Sequence, residues 1–432
     1  MKPRAKLFSF ESYHLNKESK QLELNYSVDK TYHFTERWGF DFEWVDELHH
    51  EALDRALFML HILAGVSYYK AHLAAEIEVL SGELDAKSAE LFADLYQKGL
   101  GQFFYTNQLD PFTPIPFRAN STTAKPAVAV SGLDGVLLPI GGGKDSLVSA
   151  EALLGSGEAF TSWVINHSTR FYGMLHQFGM PHIGVSRKVD PRITEHNTAG
   201  AYNGHVPITA IVLAAAIVSA ILAGKKTVLF SNESSTDEGN VEYRGAQINH
   251  QYSKSLVVER QLADYIKNYI SPDLEYFSLL RPLTELAIGQ KLSRVFDKYR
   301  DVFSSCNQNY LLGGTDQLYW CGRCSKCAFV FLILSPFVPK SKLEALFAGQ
   351  NLFTTPELHD TFEELLGIKG FKPFECVGEI AENRYAARLA YETGDYPELE
   401  GYGVADAQEY DWQSLRPHRL SDKWLKVISK SA

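Results

Sequence analysis

Gly135-Val-Leu-Leu-Pro-Ile-Gly-Gly-Gly-Lys-Asp-Ser-Leu-Val-Ser-Ala-Glu-Ala-Leu-Leu154 is the stretch on which the fold turns. Residues 135–140 form an apolar strand. Gly141, Gly142, Gly143, Lys144, Asp145 and Ser146 make a loop, and the residues from Leu147 onward have helical composition. Three successive glycines let the backbone approach a polyanion with no β-carbon in the way. The free N–H groups of such a loop, and the positive end of the helix behind it, favour negative charge. Lys144 adds a counter-charge. Asp145 cannot attract phosphate, so a carboxylate here points to a magnesium ion between it and the phosphates. The bland alternative is a glycine-rich turn that binds nothing. Well-formed neighbours on both sides argue against it.

A Walker A loop ends Gly-Lys-Ser/Thr, whereas Asp145 here separates Lys144 from Ser146 and the loop is shorter. The spacing resembles the PP-loop of the N-type ATP pyrophosphatases, Ser-Gly-Gly-x-Asp-Ser. Gly141 stands where that pattern has its first serine, which removes one hydroxyl contact to pyrophosphate. The resemblance implies ATP as a substrate, cut between its α and β phosphates to adenylate a second substrate, with magnesium as cofactor.

Strands and helices alternate beyond the loop. Residues 159–165, 182–186 and 226–230 have strand composition. The apolar run Ile208–Ala223 reads as a buried helix punctuated by Pro207 and Gly224. That alternation predicts an α/β fold with a doubly wound parallel sheet, whose ligands bind at the carboxyl ends of its strands. The polar segments at those ends are 141–146, Asn166-His167, 187–190 and 231–239. Three regions are expected: an N-terminal α+β domain at 1–130, the ATP-binding domain at 131–335, and a helical C-terminal region at 336–432 with residues 384–391 amphipathic. In the first, residues 21–28 and 31–38 alternate as strands do, and 45–80 has helical spacing. Pro111, Pro114, Pro116 and Pro126 mark a linker.

Composition narrows the function classes. With 42 basic and 52 acidic residues the net charge is −10, which argues against a nucleic-acid surface. The run Ile208–Ala223 is too short to span a bilayer comfortably, and the N-terminus has no apolar signal region. No nucleic acid, no membrane and a cytoplasmic location are expected. Oligomeric state is not legible.

Four of the five cysteines cluster: Cys306, then Cys321-Gly-Arg-Cys324-Ser-Lys-Cys327. That spacing, without an export signal, reads as a closed tetrahedral structural zinc site. Reduced cysteines in a tight turn and an iron–sulfur cluster are the alternatives. Cys376 lies apart, in Lys372-Pro-Phe-Glu-Cys-Val-Gly-Glu379. A lone cysteine is ordinarily a small buried hydrophobe.

Further polar clusters recur near predicted strand ends: Tyr202-Asn203-Gly-His205, Ser231-Asn232-Glu233, Arg244-Gly-Ala-Gln-Ile-Asn249-His250-Gln-Tyr-Ser-Lys254, and Arg281-Pro-Leu-Thr284-Glu285. The segments 141–146, 204–209, 231–233, 249–254, 321–327 and 372–379, in this order, resemble the ATP-dependent UDP-N-acetyl-α-D-muramoyl-L-alanyl-L-glutamate epimerase family, over about residues 137–385. The resemblance implies that UDP-MurNAc-L-Ala-L-Glu is the substrate and that its terminal L-Glu becomes D-Glu through an acyl-adenylate. AMP and pyrophosphate would be released, in peptidoglycan precursor synthesis and so in cell-wall biogenesis, cell shape and division. Adenylation removes the carboxylate charge that makes the α-proton so weakly acidic, which brings that proton within reach of a side-chain base. His205, His250, Glu233 and Cys376 are the acid/base candidates. Arg187, Asn203, Asn232, Arg244, Asn249, Lys254 and Arg281 are substrate-binding candidates. Two other readings stay open: a ligase or amidase of the 7-cyano-7-deazaguanine synthase type, and a nucleotide-binding module without turnover.

Overall fold

Side chains alternate along the central strands and feed two separate cores, one on each face of a single sheet. The computed structural model describes residues 4–166, 168–310 and 318–430. Its strands are β1 (Leu7–Asn16), β2 (Gln21–Val28), β3 (Tyr32–Gly39), β4 (Glu76–Val79), β5 (Val136–Pro139), β6 (Phe160–Ile165), β7 (His182–Lys188), β8 (Thr227–Phe230), β9 (Val241–Tyr243), β10 (Ala246–Ile248) and β11 (Glu275–Ser278). In β5, Leu137 enters one core while Val136 and Leu138 enter the other. In β8, Val228 and Phe230 face the first core and Leu229 the second. This period of two, with both faces apolar, is that of strands covered by helices on each side.

The nine-stranded sheet has the order β11-β8-β5-β6-β7-β3-β2-β1-β4, with β9 and β10 forming a separate hairpin. Strands β11, β8, β5, β6 and β7 are mutually parallel. From β5 the chain runs outward through β6 and β7, then returns to the other side of β5 for β8 and β11. The reversal lies at β5, the strand that leads into the glycine loop, and crevices open at such reversals.

The fold is α/β as expected, with a larger, mixed sheet. β3 pairs antiparallel with β7 through Arg37↔Lys188, Trp38↔Arg187 and Gly39↔Ser186, so the N-terminal strands continue the same sheet. The helical expectation for 45–80 needs correction. Helices occupy His50–Ala64 and Val66–His72, and the chain then enters β4. The break falls at Gly65, where a β-carbon would meet the Phe10 ring at 2.4 Å. Leu57, Leu60 and Leu63 are all buried in the first core, as are most residues of this helix. It packs between the N-terminal strands and the helix Ile208–Leu222. His61 in this helix is a satisfied core histidine, bonded to Ser81 Oγ at 3.0 Å and to the Asn25 carbonyl at 3.1 Å.

The second core is built from the helices Lys144–Ser156, Glu285–Tyr299, Ser325–Leu334 and Ile380–Glu392. The last helix, Asp422–Lys430, packs on the helix that follows the glycine loop. No helix among the described residues is long and apolar enough to cross a membrane.

Candidate active site and cysteine cluster

The glycine loop leaves β5 at Pro139 and enters the helix Lys144–Ser156 through Gly143, whose backbone is extended. Gly142 has a φ of +78°, and a β-carbon there would lie 2.5 Å from the Phe171 ring, so both conformation and packing demand glycine. Gly141 is exposed, with open space where its side chain would be. Ser146 is buried and donates back to the Gly143 carbonyl at 3.3 Å. The Lys144 ammonium is fully buried and held between Asp145, at 2.5 Å, and Glu285. Burial disfavours its charge, but these two carboxylates outweigh that and keep it protonated. As placed, Lys144 braces Asp145 from beneath the loop. The other Asp145 carboxylate oxygen has no hydrogen-bond partner among the described residues, and the side chain is 34% exposed, so it can reach a cation.

Beside this pair lie Glu233, Lys254, Cys376, His205 and His250, from four different segments. Lys254 Nζ donates to Cys376 Sγ at 3.0 Å. Burial alone raises the thiol pKa, but the Lys254 and Lys326 ammonium groups outweigh it and hold the thiol below its ordinary range. The Lys254 charge is favoured in turn by Cys376, Asp145 and Glu233, which outweigh its own burial. The His205 and His250 rings lie 4.4 Å apart between centroids. Burial first, then their mutual proximity and Lys70 and Lys254, pushes His205 down to about 3. Burial also pushes His250 down to about 4, with the nearby Glu375 opposing and Lys254 and Lys326 assisting. Both imidazoles are therefore neutral bases at neutral pH, and His250 Nδ1 is fixed by Gln102 Oε1 at 2.6 Å. Glu233 is buried, which raises its pKa, and its carboxylate caps a short turn by accepting from Ser235 N and from Ser235 Oγ at 2.9 Å.

Other sequence candidates sit elsewhere. Arg281 is 1% exposed and donates to Glu259 Oε2 (3.1 Å), the Glu233 carbonyl (2.6 Å), Thr236 Oγ1 (2.6 Å) and the Lys254 carbonyl. These donors fix the Glu233 and Lys254 loops to the Glu259 carboxylate. Arg187 pairs bidentately with the buried Glu36, at 2.9 and 3.1 Å, over the Trp38 ring. Asn249 donates to the Thr236 carbonyl at 2.9 Å and accepts from Gln251 N at 2.7 Å, tying its loop to the segment that carries Glu233. Arg244 is exposed at the turn of the β9–β10 hairpin, over the Tyr243 ring. Asn232 is buried, and its side-chain amide nitrogen lacks a hydrogen-bond partner. Asn203 Oδ1 accepts from Lys70 at 3.2 Å. His167 lies outside the described residues.

The ligand atoms of Cys306, Cys321, Cys324 and Cys327 all lie within 4.8 Å of one another. Pairs at 3.5 and 3.8 Å match the edge of a tetrahedral metal–thiolate centre, roughly 3.8 Å for metal–sulfur bonds of about 2.3 Å. The cluster is joined to both halves of the site. Ser304 N donates to the Gly142 carbonyl at 2.9 Å, and Lys144 N donates to Ser305 Oγ at 3.3 Å. On the other side Lys326 donates to the Cys376 carbonyl, and Asn307 donates to Glu375.

Sequence reading passed over Lys70, Gln102, Glu285, Lys326 and Glu375 as site residues. Glu285, Lys326 and Glu375 lay inside segments already singled out, between more conspicuous neighbours. Lys70 and Gln102 carried no local signal, because they reach the site from helices of the N-terminal region.

Comparison with known proteins adds an independent line. Residues 1–279 match the family description "MurL N-terminal domain", and residues 302–405 match "MurL C-terminal domain". Curated relatives bear the name UDP-N-acetyl-alpha-D-muramoyl-L-alanyl-L-glutamate epimerase. The chain is 40% identical to that of Xanthomonas oryzae pv. oryzae over 80% of its own length and 77% of the relative's. It is 38% identical to that of Salinispora tropica over 78% and 73%, and 35% identical to that of a Micromonospora species over 88% and 86%. No solved structure matches the chain significantly.

Proposed function

The chain belongs to the MurL family, and from that premise we propose that it epimerises the terminal L-Glu of UDP-MurNAc-L-Ala-L-Glu to D-Glu in an ATP-dependent reaction. The observation that carries the reading is the Lys254–Cys376 pair at 3.0 Å, which lies beside Asp145 of the glycine loop and near two neutral histidines. A phosphate-binding loop and a set of proton-handling groups in one place are what activation followed by inversion requires.

In this reading the glutamate carboxylate attacks the α-phosphorus of ATP, the bond to the β-phosphate breaks, and pyrophosphate leaves. The acyl-adenylate carries no carboxylate charge, so its α-proton is acidic enough for a base of ordinary strength. Cys376, kept ionisable by Lys254, handles the proton on one face, and the His205–His250 pair handles it on the other. Water then cleaves the mixed anhydride and AMP departs. The loop N–H groups hold the phosphates. Asp145 is the residue that would hold magnesium, which when bound supplies positive charge to the leaving pyrophosphate. Cys306, Cys321, Cys324 and Cys327 would hold zinc in a closed structural site that takes no part in the chemistry. Its positions relative to Gly142 and Cys376 support a bracing role. The loop spacing and the strand reversal at β5 support a fold of the PP-loop ATP pyrophosphatase type.

The test is incubation with ATP, magnesium and UDP-MurNAc-L-Ala-L-Glu in deuterated water. Deuterium at the glutamate α-carbon, with D-Glu, AMP and pyrophosphate formed together, is expected. AMP formation with retained L configuration would move the assignment to a ligase or amidase. ADP and phosphate as products would remove the pyrophosphatase assignment.

A further inference from the structure

A cleft of about 1100 Å³ opens at the carboxyl ends of β6 and β7, along the edge of β3. Its cationic wall is unusual. Arg37 on β3 and Lys188 on β7 are direct cross-strand partners, so two like charges stand side by side on the same face of the sheet. Like charges directly opposite each other destabilise an antiparallel pair. Arg37 has a partial partner in Glu23 at 2.9 Å, where both side chains are about half exposed, and Lys188 has none among the described residues. The carboxylate that also lines the cleft, Asp190, does not neutralise them. It is engaged by the Thr35 N–H, the Arg192 N–H and the Arg192 guanidinium. In a chain of net charge −10 this leaves Lys188 unpaired among the described residues and Arg37 only partly paired, both lining an open cavity. The same cleft is lined by Asn197, whose side-chain oxygen is buried and lacks a hydrogen-bond partner. An orphaned buried acceptor is satisfied by a ligand that brings a donor, such as a sugar hydroxyl.

The cleft borders the segment that carries His205. Asn203 lines it, Lys70 joins Asn203 to the Gly204 carbonyl, and His205 follows immediately. The glycine loop lies on the next strand, since β5 and β6 are neighbours. An elongated ligand can thus keep one end at His205 and Cys376 and the other in the cleft.

We propose that the Arg37–Lys188 cleft binds the diphosphate and sugar portion of a nucleoside-diphosphate sugar, at a site separate from the ATP loop. The two cations take the diphosphate and Asn197 takes a hydroxyl. The proposal rests on the epimerase reading for its choice of ligand, but its test does not depend on turnover. Binding of UDP, UMP, inorganic pyrophosphate and ATP is measured by calorimetry on the full chain and on R37A/K188A, whose substitutions are on the exposed surface. UDP is expected to bind the wild-type chain more tightly than UMP or pyrophosphate, and to weaken at least tenfold in the double variant. ATP affinity is expected to stay unchanged. KM for the dipeptide nucleotide is expected to rise, with little change in kcat. Unaltered UDP affinity in a folded double variant, failure of UDP to bind, or pyrophosphate binding as tightly as UDP would each overturn the proposal. Tight, Lys188-dependent UDP binding without epimerisation of the dipeptide nucleotide would sink the epimerase reading and leave this site standing.

Discussion

The ammonium of Lys254 donates to the thiol of Cys376 at 3.0 Å across 122 positions of sequence. The expected consequence is a thiol that ionises below the usual range near 8.5, since Lys254 and Lys326 together outweigh burial. Alkylation of Cys376 by iodoacetamide, followed against pH with Cys376→Ser as the blank, should reach its plateau at lower pH in the wild type than in Lys254→Met. Superimposed profiles would show that the contact does not tune the thiol.

Asp145 is the partly exposed carboxylate of the glycine loop, with one oxygen on Lys144. Asp145→Asn should lower turnover by roughly 100-fold or more, the scale seen when an electrostatic stabiliser of a transition state is removed. Thermal stability should change little, and AMP release measured at saturating magnesium is the readout. Near-normal AMP release would exclude a metal role for this residue.

One zinc per chain is expected at Cys306, Cys321, Cys324 and Cys327. Because Ser304 and Ser305 hold Gly142 and Lys144, stripping the metal should both lower the melting temperature and weaken ATP binding. Metal analysis together with ATP titration of chelated protein checks this. Iron with visible absorbance, or ATP affinity unaffected by demetallation, would contradict it.

Arg281 is predicted to be a structural tie. Arg281→Ala leaves the buried Glu259 carboxylate without its partner, and removing one member of a buried ion pair costs about 3–5 kcal/mol. Chemical denaturation should register a loss of that order. A stable variant whose only defect is a raised KM would return Arg281 to the ligand.

The two site histidines have folded pKa values of about 3 and about 4, below the ordinary 6.5, so the unfolded chain binds more protons between these limits. Their contribution to stability is complete above pH 6.5 and is lost as pH falls through about 4 and then 3. Imidazole NMR signals of His205 and His250 should not titrate between pH 8 and 5. Midpoints near 6.5 would mean that the rings are hydrated.

Much of the framework was written in local pattern. A short apolar run, three glycines and a helical segment specify strand, loop and helix, because each depends on near neighbours only. The cysteine spacing likewise brings Cys321, Cys324 and Cys327 together through a single turn. Side-chain periods placed β5, β6, β7 and β8 within a residue or two, and β2 and β3 as well. The pairing of β3 with β7 was not legible, since the register of strands far apart in sequence is set by the faces they bury. Burial, equally invisible in a linear chain, separated the candidate cations. Arg281 and Arg187 are neutralised inside the fold, Lys254 is turned toward a thiol, and Lys188 is left facing a cavity. Residue type and spacing therefore determined which chemistries this chain can carry. Only tertiary structure decided which charged groups meet, because the energy of a charge depends on what surrounds it in space and not on its place along the chain.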